Sequence, residues 1–217
     1  MKNPLSHISF IMDGNNRWSE KKQISKKKAY LTGAKTLLKC SNYIFENTEA
    51  NYISAFALSK NNLKRSSIII NSIKSVLLES LNNYSNLDYN FDINFIGDFD
   101  YFGKKIKCKI EKLNKNSLSK KKLIIFLNYG GRQDIENACI NFKNKKKIFN
   151  NYLSTKNIPD PEILIRTGGY KRISNFFLYQ IAFTELFFLK KLWPDLNLND
   201  LKKIIYNYRN IERKFGR

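Results

Sequence analysis

Apolar and polar positions alternate along the chain in two distinct rhythms. Short apolar runs at residues 8–12, 52–58, 91–96, 123–128, 163–166 and 185–189 predict strands. Between them, residues 32–45, 66–81, 102–113, 132–142 and 198–213 carry apolar side chains at helical spacing and predict helices. Strand and helix taking turns in this way argues an α/β fold, with a mainly parallel central sheet flanked by helices, in a single domain over residues 1–217. Ligands of such folds gather at the carboxyl ends of the strands.

The residues that follow the predicted strands are accordingly the candidate chemistry. The first strand, in HISFIMDGNNRW (residues 7–18), stops at Asp13 and turns through Gly14, Asn15 and Asn16. The second ends in Ser59, Lys60, Asn61 and Asn62, the fourth in Asn128, Tyr129, Gly130, Gly131 and Arg132, and the fifth in Arg166, Thr167, Gly168 and Gly169. Taken singly, an acid before a glycine makes an Asx turn, and a Gly-Gly pair makes a tight strand exit. Together they read as one site for phosphate chemistry. Backbone N–H groups over residues 14–17, the Asn15 amide and the Arg17 guanidinium suit diphosphate oxygens, and Asp13 suits a Mg²⁺ held against them. As an acid at a strand end near the surface, Asp13 is expected to tolerate replacement by Ala without loss of the fold.

Residues 165–195 add Arg166, Lys171 and Arg172 within seven positions, beside Ser174, a density of cations that suits one further diphosphate. Glu185 stands in an apolar run, where it needs either an arginine partner or a metal. Residues 176–193 carry more large apolar side chains than a strand and a short helix bury, which predicts a homodimer. The helix over 66–81, with Ile68, Ile69, Ile70, Ile73, Val76, Leu77 and Leu81, reads either as ordinary core packing or as the wall of an apolar tunnel.

Composition narrows the classes. A content of 42% hydrophobic and 14% aromatic residues in 217 residues excludes a disordered chain, despite a mean hydropathy of −0.46. The net charge of +21 would suit nucleic acid, but its lysines fall in short runs at 26–28, 120–122 and 145–147. No zinc-finger spacing, RNP-like aromatic motif or clustered basic helix accompanies them, so they read as solvated faces and no nucleic-acid partner is expected. Cys40, Cys108 and Cys139 lack metal-like spacing and are odd in number, which fits a reducing compartment. The N-terminal apolar stretch is too short for a signal peptide and no bilayer-spanning run occurs, so a cytoplasmic location is expected.

The motifs IMDGNNRW, NYGGR and IRTGGYKRISNF, with IA, EL and WPD spaced behind them, resemble the cis-prenyltransferase family, most of all its bacterial undecaprenyl diphosphate synthases. The resemblance implies a homodimeric enzyme that uses Mg²⁺ to add isopentenyl diphosphate units to farnesyl diphosphate with cis double bonds. Its product would be the lipid carrier of peptidoglycan synthesis, giving peripheral contact with the inner membrane face through that lipid.

By the same resemblance Asp13 is the metal-binding catalytic acid, Asn62 the proton acceptor, and Gly14, Asn15, Asn16, Arg17 and Trp18 the allylic diphosphate cradle. Ser59 and Arg65 belong to substrate binding; Arg166, Arg172, Ile173 and Ser174 form the isopentenyl diphosphate site, and Glu185 is a second metal ligand. The remaining substrate positions depart from the family pattern. Lys26, Ala29 and Tyr30 stand for a usual Arg, Gly and His; Lys60, Asn61 and Leu63 flank Asn62 in place of Ser, Glu and Trp; and Gln133 replaces a Trp. Lys171 holds the place of a metal-binding His, although a protonated amine cannot ligate Mg²⁺. Phe126 stands where relatives carry a small residue, with consequences for tunnel depth. These departures leave open a catalytically weak or accessory subunit of the same fold. A trans-type synthase is disfavoured by the lack of an Asp-Asp-x-x-Asp motif.

Overall fold

Every residue of the strand β1 (His7–Ile11) is buried, as befits a strand with neighbours on both sides and layers on both faces. In the computed structural model, which describes residues 3–61, 66–83, 89–142 and 148–213, it pairs in parallel with β2 (Tyr52–Ser59) and β5 (Ile163–Arg166). With β3 (Asp92–Gly97), β4 (Lys122–Tyr129) and β6 (Glu185–Phe188) these form a six-stranded, wholly parallel sheet in the order β3-β4-β2-β1-β5-β6. The helices are α1 (Asn15–Lys21), α2 (Lys26–Asn47), α3 (Ser67–Asn83), α4 (Lys104–Lys115), α5 (Gly131–Asn141) and α6 (Leu198–Arg209).

Most element bounds fall within a few residues of the sequence expectation, and the exceptions have local causes. Helix α2 starts six residues earlier than its apolar period, because the Ser25 side chain accepts from the Lys28 N–H and caps it. The turn expected after β1 is instead the start of α1, entered through Gly14 at φ 116, where a Cβ would lie 2.9 Å from Leu192. Helix α6 opens with a reciprocal Asn197–Asp200 capping box and ends at Arg209, short of residue 213.

Side-chain alternation along the strands divides the interior into two faces. Ile8 and Phe10 of β1, Ile53 and Ala55 of β2, and Ile163 and Ile165 of β5 pack with α2, α6 and Trp193. Ile11, Phe56, Ile124, Phe126 and Leu164 point to the other face, under Phe176 and Phe177. Phe126 is fully buried there, edge-on to Phe176 and Phe177. It therefore stands on the opposite side of the sheet from the apolar cavity described below and does not set its depth. Phe176, Phe177 and Trp193 are likewise absorbed into the core of one chain, so the apolar surplus read over 176–193 shrinks to Tyr179, Phe183 and Leu186 at the surface.

The second face also holds a polar contact. His7, fully buried, donates from Nδ1 to the Pro159 carbonyl at 2.7 Å, and the Ser54 hydroxyl donates to Nε2 at 2.8 Å. Burial lowers its pKa to about 4, partly opposed by the Pro159 hydrogen bond, because a second proton would charge a group that has left water. The unfolded chain takes up that proton near 6.5 and the folded one only near 4, so the stability contributed by neutral His7 is complete above 6.5 and lost as pH falls toward 4. A shift of this size corresponds to about 3 kcal/mol. Urea unfolding followed from pH 7 to 4 should show a steeper loss of stability in the natural protein than in His7→Gln; parallel curves would contradict this account.

Candidate functional site

At the carboxyl ends of β1 and β5 one acid meets two guanidiniums. Arg166 ends β5 on the face of Leu164 and points its 4% exposed side chain at Asp13, with Nη2 2.9 Å from Oδ2. Arg17, one turn into α1, donates from Nη2 to the other oxygen, Oδ1, at 3.2 Å and from Nη1 to the Gly168 carbonyl at 2.8 Å. The opposite end of Arg166 donates from Nη1 to the Ser174 hydroxyl at 2.7 Å and to the Arg172 carbonyl. Its Nε is buried without a partner among the described residues.

The backbone around this trio is fixed from three sides. The Asp13 carbonyl accepts from the Trp193 N–H at 3.0 Å and from the Thr167 hydroxyl at 2.8 Å. Gly168 and Gly169 turn at φ 89 and 83 and donate their N–H groups to Lys191 and Leu189. A Cβ on Gly168 would lie 2.5 Å from Arg17 Nη2, so only glycine lets β5 exit so close to α1. Since α1 begins without a side-chain cap, its first-turn N–H groups remain open to an anion.

The sequence candidates divide into those that face this cluster and those that support it. Asp13, Gly14, Arg17, Arg166 and Ser174 meet there. The Asn16 carbonyl accepts from Ser19 and from Lys26 at 3.3 Å, and its side-chain oxygen accepts from the Tyr30 hydroxyl at 3.1 Å. Lys26 and Tyr30 thus brace α1, Lys26 also pairing with Glu20. The Asn15 amide donates to the Met12 carbonyl and Trp18 donates to Asp195, so neither points its polar group at the arginines. Ile173 packs on the second face of the sheet, and the exposed Arg172 stands at the rim. Ser59 ends β2 buried, level with Tyr129 of β4, and Lys60 and Asn61 follow it, exposed. Asn62, Leu63 and Arg65 lie outside the described residues.

Two metal assignments are not brought together by one chain. Glu185 opens β6 beside Ile163, and Ile163 lies beside Ile8, five positions before Asp13 and roughly 16 Å along the strand. Its carboxylate lies 3.8 Å from Arg213 rather than beside Arg166 or Arg172. Lys171 is exposed and forms no ion pair with Asp13. Among the described residues no three His, Cys, Asp or Glu side chains gather as a metal site. Asp13 alone fits a Mg²⁺: each oxygen has one guanidinium and spare lone pairs, and the side chain is 26% exposed. Magnesium with one protein carboxylate, completed by phosphate oxygens and water, is a common arrangement.

The glycine pair after β4 has a supporting role. Gly131 donates its N–H to the Asn175 carbonyl at 2.7 Å, and the Arg132 N–H donates to the Asn175 side chain at 2.9 Å. This pins Ser174 and Asn175, both at positive φ, under Arg166. Residues missed from the sequence are Trp193 and Tyr170, whose ring lies near three arginines; an aromatic beside the RTGG turn and the WPD tryptophan were the available signals.

Behind Asp13 an apolar cavity of about 470 Å³ runs between α2 and α3 over the first face of the sheet. Met12 and Asn15, on either side of Asp13 and Gly14, line it with Leu37, Ala57, Val76 and Leu77. Of the α3 residues expected to form a wall, Ile73, Val76, Leu77 and Leu81 do so, whereas Ile68 is exposed and Ile70 packs away.

A parallel α/β sheet with a cluster of cations at its carboxyl edge, next to an apolar cavity, suits a ligand with an anionic head and a hydrocarbon tail. The chain belongs to the prenyltransferase family whose model is described as putative undecaprenyl diphosphate synthase, matched over residues 11–216. It is 34% identical to the ditrans,polycis-undecaprenyl-diphosphate synthase ((2E,6E)-farnesyl-diphosphate specific) of Coxiella burnetii, over 97% of this chain and 95% of that one. It is 35% identical to the isoprenyl transferase of Fusobacterium nucleatum, over 99% and 97%. Among solved structures, a probable undecaprenyl diphosphate synthase from Campylobacter jejuni superposes with a TM-score of 0.79 at 28% identity, covering 99% of this chain and 100% of that one. Lavandulyl diphosphate synthase from Lavandula x intermedia, in complex with dimethylallyl diphosphate, gives 0.85 at 25% identity, covering 98% of both chains.

The expectation that Asp13→Ala spares the fold is revised by the ion pairs. Removing the carboxylate leaves the buried Arg166 guanidinium without its counter-charge, a loss on the order of 2 kcal/mol, smaller than for a fully buried pair because Asp13 is partly exposed. Urea unfolding should show Asp13→Ala clearly destabilised and Asp13→Asn less so, since an amide oxygen still accepts one hydrogen bond. Equal stability of Asp13→Ala and the natural protein would mean that the pair is not formed.

Proposed function

We propose that the protein condenses isopentenyl diphosphate with an allylic diphosphate, farnesyl diphosphate first, forming cis double bonds and a polyprenyl diphosphate lipid carrier for cell-wall synthesis. The observation that carries this is the adjacency at Asp13: Met12 and Asn15, which flank Asp13 and Gly14, line the apolar cavity, while Asp13 itself pairs with Arg17 and Arg166. A diphosphate head and a hydrocarbon tail are thereby accommodated side by side.

In this reading Arg17 and the first-turn N–H groups of α1 hold the allylic diphosphate, and its chain enters the cavity between α2 and α3. The C1–O bond breaks, the electron pair leaves with the diphosphate, and the isopentenyl double bond supplies the pair for the new carbon–carbon bond. Loss of a proton from C2 of the isopentenyl unit, taken up by the released diphosphate or water, then forms the new cis double bond. Arg166, Arg172 and Ser174 hold the isopentenyl diphosphate, which must stay intact and needs positioning alone. Arg166 contacts both Asp13 and Ser174, so it fixes the distance between the two diphosphates. A Mg²⁺, when bound, would supply neutralisation of the leaving diphosphate. Asp13 is the residue that would hold it, and the apolar walls exclude water from the allylic carbon.

Incubation of the purified protein with farnesyl and isopentenyl diphosphates should yield polyprenyl products that vanish with EDTA and return with excess Mg²⁺. With one carboxylate to offer, the protein alone should take up Mg²⁺ weakly in calorimetry, and much more tightly once inorganic diphosphate is bound. Absence of polyprenyl product at saturating Mg²⁺ would overturn the reading.

A homodimer is part of the same proposal. Strand β6 ends the sheet and carries Leu186, which is 42% exposed, and Tyr179 and Phe183 in the segment before it are 42% and 70% exposed. An uncovered apolar edge is a pairing surface for a second copy. Sedimentation at micromolar concentration should give a dimer, and a monomer throughout would contradict the pairing. Among the described residues no helix is long and apolar enough to cross a membrane; peripheral membrane contact through the lipid product is part of the same proposal.

A further inference from the structure

We propose that Tyr170 is a positioning residue that couples the two diphosphate subsites by holding the guanidiniums of both around one aromatic ring. The inference rests on the condensation reading for what the subsites bind. The guanidinium carbon of Arg172 lies 4.1 Å from the ring centroid, that of Arg17 4.9 Å and that of Arg166 5.9 Å. These are cation–π distances, and the three groups come from three separate parts of the site: the first turn of α1, the end of β5 and the loop behind it.

The ring is placed by its backbone. Gly168 and Gly169, both in the left-handed region, reverse the chain immediately before Tyr170, and their N–H groups are tied to the Lys191 and Leu189 carbonyls at 2.7 and 2.8 Å. The side chain remains 44% exposed, so it contributes little to the core and stands where ligands arrive.

The chemistry of this choice differs from that of a second carboxylate. Before substrate arrives, Arg17 and Arg166 share the carboxylate of Asp13, and Arg172 stands near them without an acid of its own among the described residues. Another acid would relieve their repulsion, but it would also occupy the N–H donors and repel the incoming diphosphate. An aromatic face attracts the cations through its quadrupole and leaves their N–H edges free. Among the described residues the Arg172 guanidinium makes no hydrogen bond or ion pair, and the Tyr170 ring holds it over the site. Tyr170 therefore organises the arginines for diphosphate without competing for it.

The test compares the natural protein with Tyr170→Phe and Tyr170→Ala. Calorimetric titration with inorganic diphosphate, in the absence of divalent metal, should show binding weakened by about tenfold in Tyr170→Ala and within about twofold of natural in Tyr170→Phe. In steady-state assays KM for isopentenyl diphosphate should rise by about the same factor in Tyr170→Ala while kcat changes less than about threefold, as expected when ground-state positioning is lost. The melting temperature of Tyr170→Ala should fall by no more than about 3 °C, since an exposed cation–π contact is worth about 1 kcal/mol. Unchanged diphosphate affinity in Tyr170→Ala would overturn the inference. So would an equal loss in Tyr170→Phe, which would assign the effect to the hydroxyl, or a fall in melting temperature of about 10 °C or more in Tyr170→Ala, which would assign the ring to the core. If the natural protein forms no polyprenyl product while the calorimetric pattern holds, the reaction reading fails and the positioning role stands.

Discussion

A carboxylate shared between two guanidiniums sets the geometry of this molecule's candidate active site. Asp13 accepts from Arg17 on one oxygen and from Arg166 on the other, and its backbone carbonyl is held by Thr167 and Trp193. Because β1 lies between β2 and β5, the register that buries Ile8 and Phe10 also brings Asp13 level with the end of β5, where Arg166 emerges. The same packing that makes the core therefore makes the cradle. Arg166 is almost wholly buried, so its charge tolerates that position only while the carboxylate and the Ser174 hydroxyl are in place.

The cradle alone would suit many anions. What narrows the choice is the apolar cavity beside it, walled by α2 and α3 and lined by Met12 and Asn15. A ligand that fills both must pair a polyanionic head with a hydrocarbon chain, and burying that chain supplies binding free energy far from the bond that breaks. Trp193 links the two regions, with its backbone N–H on Asp13 and its indole N–H on the Gly33 carbonyl of α2 at 2.8 Å.

The parallel sheet and most helices were legible because apolar period and strand-end chemistry agree. Asp13, Arg17 and Arg166 were legible for the same reason, as polar residues at or just after carboxyl ends, and Ser174 from the density of cations beside it. What escaped depends on contacts distant in sequence. The α1 start needs Gly14 beneath Leu192, and the brace from Lys26 and Tyr30 to Asn16 crosses two helices. Phe126 was misplaced because tunnel lining depends on which face of the strand a residue occupies, and its neighbours Ile125 and Leu127, not Phe126, face the cavity. Glu185 shows the same limit along the strand: a motif spacing does not say which end of the sheet a residue occupies, and parallel pairing puts it at the end away from Asp13.

The central claim is that Asp13, Arg17 and Arg166 receive a diphosphate whose hydrocarbon chain lies between α2 and α3. A crystal structure with an unreactive farnesyl diphosphate analogue tests it most directly. The account predicts diphosphate oxygens on the Arg17 guanidinium and the first-turn N–H groups of α1, with carbon atoms running past Met12 toward Val76 and Leu77. An analogue whose diphosphate sits in the polar cleft of Asn61, Arg132 and Asn175, with the space between α2 and α3 empty, would contradict it.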